Sequence, residues 1–268
     1  MLCMMRRRRY PDLGPSLDPV LDNNDWATIS YASENGLAAS TWSVGDRKAV
    51  ALSGTAGSLS LSDTYYCYII GIDHNSAIEG TNRIHFQFGY TAASGGVHIA
   101  FIDSGYGSSY TSGSYFNMNN TNRNSGGWAN SRMRTTIIPT FKACLPSDLQ
   151  ACLKTVTKFS DNTGGGFNIA SYVTATTDDI FLLSEWEVFG ARSYANSAEQ
   201  KYQSQYAYYS AGNSKIRYMH SSNGSTAYWW LRSVNAGHSN RFCFVNTSGI
   251  ASYTNAYFSI GFAPAFCV

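Results

Sequence analysis

The chain has 268 residues and carries few charges for a protein of its size. Charged residues make up 13% of it and aromatic residues 15%, with 19 tyrosines, and the formal net charge is +2. The usual charged share is about 25%, so this balance gives no reason to expect a nucleic-acid partner. The length suffices for a proper core in one large domain or two small ones. No apolar run of about 18 residues exists, so the sequence predicts no membrane span.

Residues 1–24 differ from the rest of the chain. They contain four consecutive arginines, Arg6 to Arg9, three prolines and no periodic pattern. We predict a basic tether over residues 1–24 and a folded domain over residues 25–268. No apolar segment follows the arginines, which argues against a secretory signal peptide.

The first part of the domain predicts one helix and then several strands. Asp25 is placed to cap a helix that runs to about Glu34, where Gly36 can stop it. A turn over residues 42–46 then precedes a strand at 48–52. Two further segments, 65–72 and 83–90, are rich in β-branched and aromatic residues and predict strands. The Gly-, Ser- and Tyr-rich segment 94–114 predicts a long loop or an irregular hairpin.

The middle of the chain predicts helices separated by one buried strand. The spacing of Trp128, Met133 and Ile137 favours a helix laid on the core. A second helix is expected after Pro146 with Ser147 as its N-cap, since apolar residues recur at helical spacing from Leu149 to Val156. Residues 181–183 predict a buried strand, and residues 198–209 a Gln- and Tyr-rich helix.

Enzymatic chemistry finds little support in the sequence. The six cysteines are scattered without a metal-ligand pattern, and Cys243 and Cys267 either form a bridge or remain buried free thiols. The five histidines show no metal-ligand spacing. Asp73-His74 is either half of a catalytic pair or a turn-capping Asp beside an exposed His, and we favour the turn. With no nucleophile motif present, we predict a non-enzymatic protein without cofactor or metal.

The most informative stretch is residues 228–268. It opens Tyr228-Trp229-Trp230-Leu231-Arg232-Ser233, continues with Phe242-Cys243-Phe244-Val245-Asn246, and closes Gly261-Phe262-Ala263-Pro264-Ala265-Phe266-Cys267. Between these apolar anchors lie tracts rich in Asn, Ser, Thr, Gly and Tyr, as in antibody loops. From Val234 onward there is no Lys, Glu, Gln, Asp, Leu, Met or Trp. Pro264 predicts that the closing segment is an edge strand or carries a bulge.

This order of anchors resembles the variable tail of diversity-generating retroelement target proteins, which have a C-type-lectin fold. In that family, adenine-directed mutagenesis of Asn codons yields the residue types seen here and never Lys, Glu, Gln, Met or Trp. Motifs from Asp25-Trp26 to the WWLRS segment are also similar to an uncharacterised family of phage-tail-associated and gut-bacterial surface domains. Segments 94–114 and 160–178 depart from that pattern, because they look expanded and low in complexity.

The resemblance implies a fold class, a function and a location. The fold is expected to be α+β and C-type-lectin-like, a twisted and mainly antiparallel sheet with flanking helices and long loops. The first strands and the last strand are expected to come together.

The expected function is that of a phage tail protein, located in the virion, whose hypervariable face binds a host cell-surface protein or glycan. Other tail proteins are expected to bind the N-terminal segment, and we hypothesise a homotrimer with residues 1–24 as its tether. The alternative is a fixed carbohydrate-binding or adhesin module on a bacterial surface, in which Tyr and Trp faces stack on sugars.

The resemblance also assigns individual residues within the variable region, about residues 234–268. The positions expected to be diversified and to form the ligand-binding face are Gly237, His238, Arg241, Phe244, Ser248, Ile250, Ser252, Tyr253, Thr254, Asn255, Tyr257, Phe258 and Ile260. Four large apolar residues among them, Ile250, Tyr257, Phe258 and Ile260, either form an exposed contact cluster or fill a hairpin core. The residues expected to be buried scaffold are Trp230, Leu231, Phe242, Val245, Ala263 and Phe266.

Overall fold

The computed structural model describes residues 14–268, which contain short helices and many strands. The helices are α1 Trp26–Glu34, α2 Ala38–Thr41, α3 Ser76–Glu79, α4 Ile138–Ala143, α5 Ser147–Cys152, α6 Glu185–Phe189 and α7 Ala207–Ser210, with 3-10 turns at Leu21–Asn23, Ala170–Tyr172 and Ser197–Tyr202 and a π-helical turn at Met133–Ile137. The strands are β1 Arg47–Ala51, β2 Gly54–Ala56, β3 Leu59–Leu61, β4 Thr64–Ile72, β5 Ile84–Tyr90, β6 Ile99–Ala100, β7 Val156–Asp161, β8 Val173–Asp178, β9 Ile180–Phe181, β10 Arg217–Met219, β11 Ser222–Ala227, β12 Trp229–Val234, β13 Arg241–Val245, β14 Ala251–Asn255 and β15 Ala265–Cys267.

The largest sheet joins strands from both ends of the described chain. This main sheet has five strands in the order β1-β4-β5-β15-β9, and all its pairs are antiparallel. The expected meeting of the first strands with the last one is therefore confirmed. With few helices and mostly antiparallel pairing, the fold is α+β, as predicted.

A second sheet carries the region of interest. The tail sheet contains β12, β13 and β14 in that order, all antiparallel. The remaining strands form the hairpins β2–β3 and β7–β8 and a small sheet in which β10 pairs antiparallel with β11 and parallel with β6. Among residues 14–268, no helix has the length and apolar character needed to cross a membrane.

The first helix shows how local sequence and packing agree. The Asp25 carboxylate accepts the backbone N–H of Thr28 at 2.7 Å, which caps α1 as predicted. The Trp26 ring that follows packs edge-on against Phe86 of β5 and Phe266 of β15, with centroids 5.5 and 5.9 Å apart. Aromatic pairs in this geometry add to the stability that burial provides.

Residues assigned to the tether divide into two groups. Residues 1–13, including the arginine run and Cys3, lie outside the described part of the chain. Residues 18–24 pack on the domain: Leu21 is buried, the Trp42 indole N–H donates to the Asp18 carbonyl at 3.0 Å, and the Lys48 ammonium donates to the Asp22 carbonyl.

The position of Pro264 differs from its prediction. Pro264 stands immediately before β15, and β15 pairs with β5 on one side and β9 on the other. The strand is therefore internal, and the prediction of an edge strand or bulge is wrong. Proline has no backbone N–H to donate to a neighbouring strand. Because Pro264 precedes the first paired residue, the backbone hydrogen bonds of β15 are unaffected. Its carbonyl accepts the Phe88 N–H at 3.0 Å.

Three other local predictions need correction. Ser147 is the first residue of α5 rather than its cap, and Val156 already belongs to β7. The helix predicted over 198–209 is split into a 3-10 turn and α7 by extended residues. His74 is buried rather than exposed, although the Asp73 carboxylate does support the turn by accepting the Arg83 N–H.

A buried ionic cluster ties the tail sheet to the other elements. Glu187 of α6 pairs with Arg232 of β12, whose Nη2 lies 2.9 Å from its Oε1. The Lys158 ammonium of β7 donates to Glu187 at 3.0 Å and to Glu79 at 2.5 Å. All four side chains are buried. Two carboxylates balance two cations, so the cluster is neutral when its histidine neighbours are uncharged.

We predict that Glu187→Gln destabilises the protein strongly. The change leaves Arg232 and Lys158 buried with one carboxylate between them, which costs about 3–5 kcal/mol of unfolding free energy. The matched control is Glu34→Gln, because Glu34 pairs with Lys154 but is 60% exposed, and such pairs contribute about 0–1 kcal/mol. Urea unfolding of both variants checks this; equal losses would contradict it.

A second buried carboxyl group, that of Glu199, makes the stability of the protein depend on pH. Glu199 is buried, where it accepts the Asp161 N–H at 3.0 Å and the Ser233 hydroxyl at 2.8 Å. Burial disfavours its charged form and raises its pKa from 4.5 to about 7. Between pH 4.5 and pH 7 the folded state keeps a proton on Glu199 that the unfolded state has released. The stability that this proton contributes is complete below pH 4.5 and is lost as the pH rises through 7.

We therefore expect the stability of the wild type relative to Glu199→Gln to fall by up to about 3 kcal/mol across that window. The glutamine cannot titrate, so it removes this contribution while keeping an acceptor for the same donors. Urea unfolding of both proteins at a series of pH values measures the difference. A difference that stays constant with pH would contradict the assignment.

Candidate binding face

The tail sheet rests on two fully buried tryptophans. Trp229 and Trp230 point to opposite faces of β12, and each indole N–H has a carbonyl partner, Lys215 at 3.0 Å and Phe116 at 2.7 Å. All six residues expected to be scaffold are buried. The hairpin β13–β14 therefore extends from an anchored strand.

The turn between β12 and β13 is held by one buried side chain. The Asn124 amide donates to the carbonyls of His238 at 2.7 Å and Arg241 at 3.0 Å. Its backbone N–H donates to the Ser239 carbonyl at 2.9 Å, and its side-chain oxygen accepts the Gly165 N–H. The hydrogen bonds from Asn124 to the turn all end on main-chain carbonyls, so they do not depend on which side chains the turn carries.

The glycines next to Asn124 allow this close packing. Gly164 has a left-handed backbone with φ +70°, and a Cβ there would lie 2.1 Å from the Asn124 carbonyl oxygen. A Cβ on Gly166 would lie 2.8 Å from the Ser239 nitrogen. Only glycine fits both positions. The segment that looks low in complexity in the sequence therefore supports the turn.

The segment after β14 is also held through its backbone. The Tyr110 N–H donates to the Tyr257 carbonyl at 2.8 Å, the Gly107 N–H to the Ser259 carbonyl at 2.8 Å, and the Asn119 N–H to the Ala256 carbonyl at 2.9 Å. The expanded loop over residues 94–114 therefore serves as a second support for the tail.

Most of the thirteen expected positions reach the surface. The exposed or half-exposed residues are Gly237, His238, Arg241, Ser248, Ile250, Ser252, Tyr253, Thr254, Asn255, Tyr257 and Phe258, and we name these eleven the display face. Ile250 is 61% exposed, whereas Phe258 also packs against the core.

Two expected positions are buried and cannot present a side chain. Phe244 is 8% exposed because it lies on the same side of the sheet as Trp230 and packs edge-on against Tyr228, with centroids 5.3 Å apart. Ile260 is 2% exposed, next to the bridge between Gly261 and Trp229. For Ile260 the structure supports the core alternative, not the exposed cluster.

The display face does not gather at one point. Ser248 and Ile250 lie at the β13–β14 turn, whereas Arg241 and Asn255 pair at the opposite end of the hairpin. At that second end His238 and Arg241 approach Tyr253, with the His238 and Tyr253 centroids 5.3 Å apart and the Arg241 guanidinium carbon 5.0 Å from the ring centroid.

A groove opens beside Tyr253. Its volume is about 280 Å³, and its lining residues are Arg192, Ser193, Tyr194, Asn235, Gly237, His238 and Tyr253. The wall formed by residues 192–194 comes from the loop after α6. Sequence reasoning missed this wall and the Asn124 clamp, because no local pattern shows that two distant loops meet the tail.

The groove walls are fixed by hydrogen bonds behind them. The buried Glu185 carboxylate accepts the N–H groups of Tyr194 and Ala195, at 2.9 and 2.6 Å. The Ala236 N–H donates to the Tyr194 carbonyl at 2.9 Å, and the Asn235 side chain accepts the Gly237 N–H at 2.7 Å. The groove is therefore preformed rather than assembled by a ligand.

The two cysteines of the tail are unpaired and buried. Cys243 lies on β13 and Cys267 on β15, two strands in different sheets, and both thiols are free. Burial raises the pKa of Cys243 well above its usual value and that of Cys267 to about 12, so neither thiol is activated as a nucleophile.

One group of side chains has metal-ligand geometry, away from the groove. Ligand atoms of His74, Glu79 and Glu187 lie within 4.8 Å of one another. The Lys158 ammonium already donates to both carboxylates. A metal ion would have to displace it, so the arrangement is an ion-pair cluster in which lysine supplies the cation.

Comparison with known proteins places the chain in a family but names no activity. Residues 108–268 match the family model described as "Domain of unknown function (DUF6273)". That segment contains Asn124, the groove and the whole tail sheet. No curated protein and no solved structure matches the chain significantly.

We predict that Asn124→Ala loosens the turn at residues 238–241. It removes three side-chain hydrogen bonds, at a cost of about 2–4 kcal/mol. The His238 carbonyl loses its donor, whereas the Arg241 carbonyl keeps the Asn235 N–H. Hydrogen exchange at residues 235–241 should accelerate more than in the main sheet. Asn130→Ala is the control, since Asn130 is exposed and its loss should stay within about 0.5 kcal/mol. Unchanged exchange in the turn would contradict the clamp.

Proposed function

The chain belongs to the DUF6273 family, and from that premise we propose that it is a phage receptor-binding protein. In this proposal the domain has a C-type-lectin-like fold and is carried on the phage tail. The display face is its hypervariable surface, as in diversity-generating retroelement target proteins, and binds a protein or glycan on the host cell. The N-terminal segment joins it to other tail proteins, and three copies act together to give avidity.

The observation that carries the proposal is how the tail is held. Asn124 and the loop at residues 107–119 contact the tail through main-chain atoms. Side chains of the display face make few hydrogen bonds of their own: Asn255 accepts one from Asn240 at 3.2 Å, and Arg241 meets His238 at 3.5 Å. Backbone anchoring leaves side chains free to vary without loss of the fold, which is what a diversified binding surface requires.

The chemistry of the face supports contact rather than catalysis. It combines aromatic rings with Ser, Thr, Asn and Gly, a mixture that gives rigid contact area together with adaptable hydrogen bonding. Ile250, which is 61% exposed, adds apolar contact area to this face.

The proposal predicts that binding can be lost without loss of stability. We expect the combined variant His238→Ser, Ile250→Ser, Tyr257→Ser to change the melting temperature by only a few degrees, because these side chains are exposed or half-exposed. The same variant should abolish attachment of the fluorescently labelled protein to cells of the host strain, measured by flow cytometry.

The matched control is Leu37→Ser with Val44→Ser, two exposed apolar residues outside the tail. This control should attach like the wild type. Full attachment by the triple variant would overturn the proposal, and a collapse of its stability would show that the face is core. In the genome, a reverse-transcriptase gene beside a near-copy of the tail coding sequence that differs only at adenines distinguishes a diversified face from a fixed adhesin.

A further inference from the structure

In the described part of the chain, the arginines around the groove have no carboxylate partner. Arg192 lies in its lining, His238 lies opposite, and Arg241 rests against Tyr253. The surrounding segments 162–172, 189–198 and 235–268 contain no Asp or Glu. Among residues 14–268, no carboxylate lies within ion-pair distance of Arg192 or Arg241.

The Glu185 carboxylate lies behind the wall and is not part of the groove lining. Glu185 is fully buried and its oxygens accept the backbone N–H groups of Tyr194 and Ala195. It holds the wall from behind and does not pair with the Arg192 guanidinium, whose Nε instead donates to the Ala195 carbonyl at 2.5 Å. Arg192 is thereby oriented while it remains exposed.

The remaining lining is suited to a hydroxylated ring. Tyr194 and Tyr253 meet edge to face, with centroids 4.7 Å apart. Asn235 and Ser193 add amide and hydroxyl groups. The volume of about 280 Å³ is just under the range of complete small-molecule sites, about 300–1,000 Å³. The groove therefore suits one terminal residue of a larger ligand.

We infer that this groove binds a carboxylate-bearing terminal sugar, with Arg192 as the anion-binding residue. The inference rests on the proposed function and specifies its ligand class. The guanidinium pairs with the sugar carboxylate, since arginine offers two parallel donors in the geometry of a carboxylate. Aromatic edges and the amide and hydroxyl groups contact the ring.

The groove is lined by two kinds of residue, some from outside the tail and some from the display face. Arg192, Ser193 and Tyr194 lie outside the tail and supply a constant anion-binding wall. Gly237, His238 and Tyr253 belong to the display face and form the opposite wall. Variation in the tail would then change which acidic sugar fits while the carboxylate contact stays in place.

Calorimetric titration of the intact protein tests this with four probes. The acidic probes are 3′-sialyllactose and trigalacturonate, which distinguish a sialic acid from a uronic acid as the source of the carboxylate. The neutral probes are their methyl esters. We expect at least one acidic probe to bind, its ester to bind about tenfold more weakly or not at all, and the affinity to fall as salt rises.

Variants at Arg192 test the named residue. Arg192→Gln should weaken the acidic probe about tenfold or more, and Arg192→Lys should recover part of that loss because it keeps the charge. Arg123→Gln is the control, as Arg123 is an exposed arginine lining a separate groove. Circular dichroism and melting temperature show that each variant is folded.

Three results would overturn the inference: no binding of either acidic probe, equal binding of acid and ester, or unchanged affinity in Arg192→Gln. Binding of a Glu-rich peptide without either sugar would overturn it too. These failures differ from failure of the proposed function, which is judged by attachment to host cells. If the protein attaches to cells but binds neither acidic sugar, the inferred ligand class is wrong and the proposed function still stands.

Discussion

The buried pair of Glu187 and Arg232 is the interaction on which the placement of the tail sheet depends. Arg232 lies in the middle of β12, and its own N–H donates to the Leu183 carbonyl while its guanidinium also reaches the Leu182 carbonyl at 2.9 Å. Glu187 in turn caps the start of α6 through the Ser184 N–H. One carboxylate therefore sets both the start of a helix and the position of a strand 45 residues later. We hypothesise that this pair serves to fix one arrangement of helix and strand, because the cost of removing two charges from water offsets much of their attraction.

Sequence reasoning predicted the local elements well, because local physics decides them. The Asp25 cap and the strands β4 and β5 follow from side-chain type and spacing alone, whereas the burial of Trp230 and Phe266 was expected from the resemblance. It could not predict which distant groups meet. The pairing of Glu187 with Arg232 and the clamp by Asn124 join residues far apart in the chain, and a single sequence carries no signal of such contacts.

The same distinction applies to the candidate site. Composition identified the tail, and eleven of the thirteen expected positions lie on the surface. Phe244 and Ile260 are buried because strand alternation and the neighbouring bridge turn them toward the tryptophans. The wall that carries Arg192 comes from a loop with an ordinary composition, and its approach to the tail depends on Glu185, whose partners are backbone groups. Only the folded chain reveals that approach.

The internal place of β15 has a consequence for how the protein is made. Residues 265–267 form an inner strand of the main sheet, yet they follow the whole display face in the chain, and Val268 accepts a hydrogen bond from Ser33, 235 residues earlier. During synthesis, β5 and β9 are therefore both made before the strand that joins them. The main sheet is complete only after residue 268 has left the ribosome. A chain interrupted anywhere in the display face lacks that strand. Display of the tail is thus coupled to translation of β15, because a chain that stops before residue 265 leaves β5 and β9 without the strand that joins them.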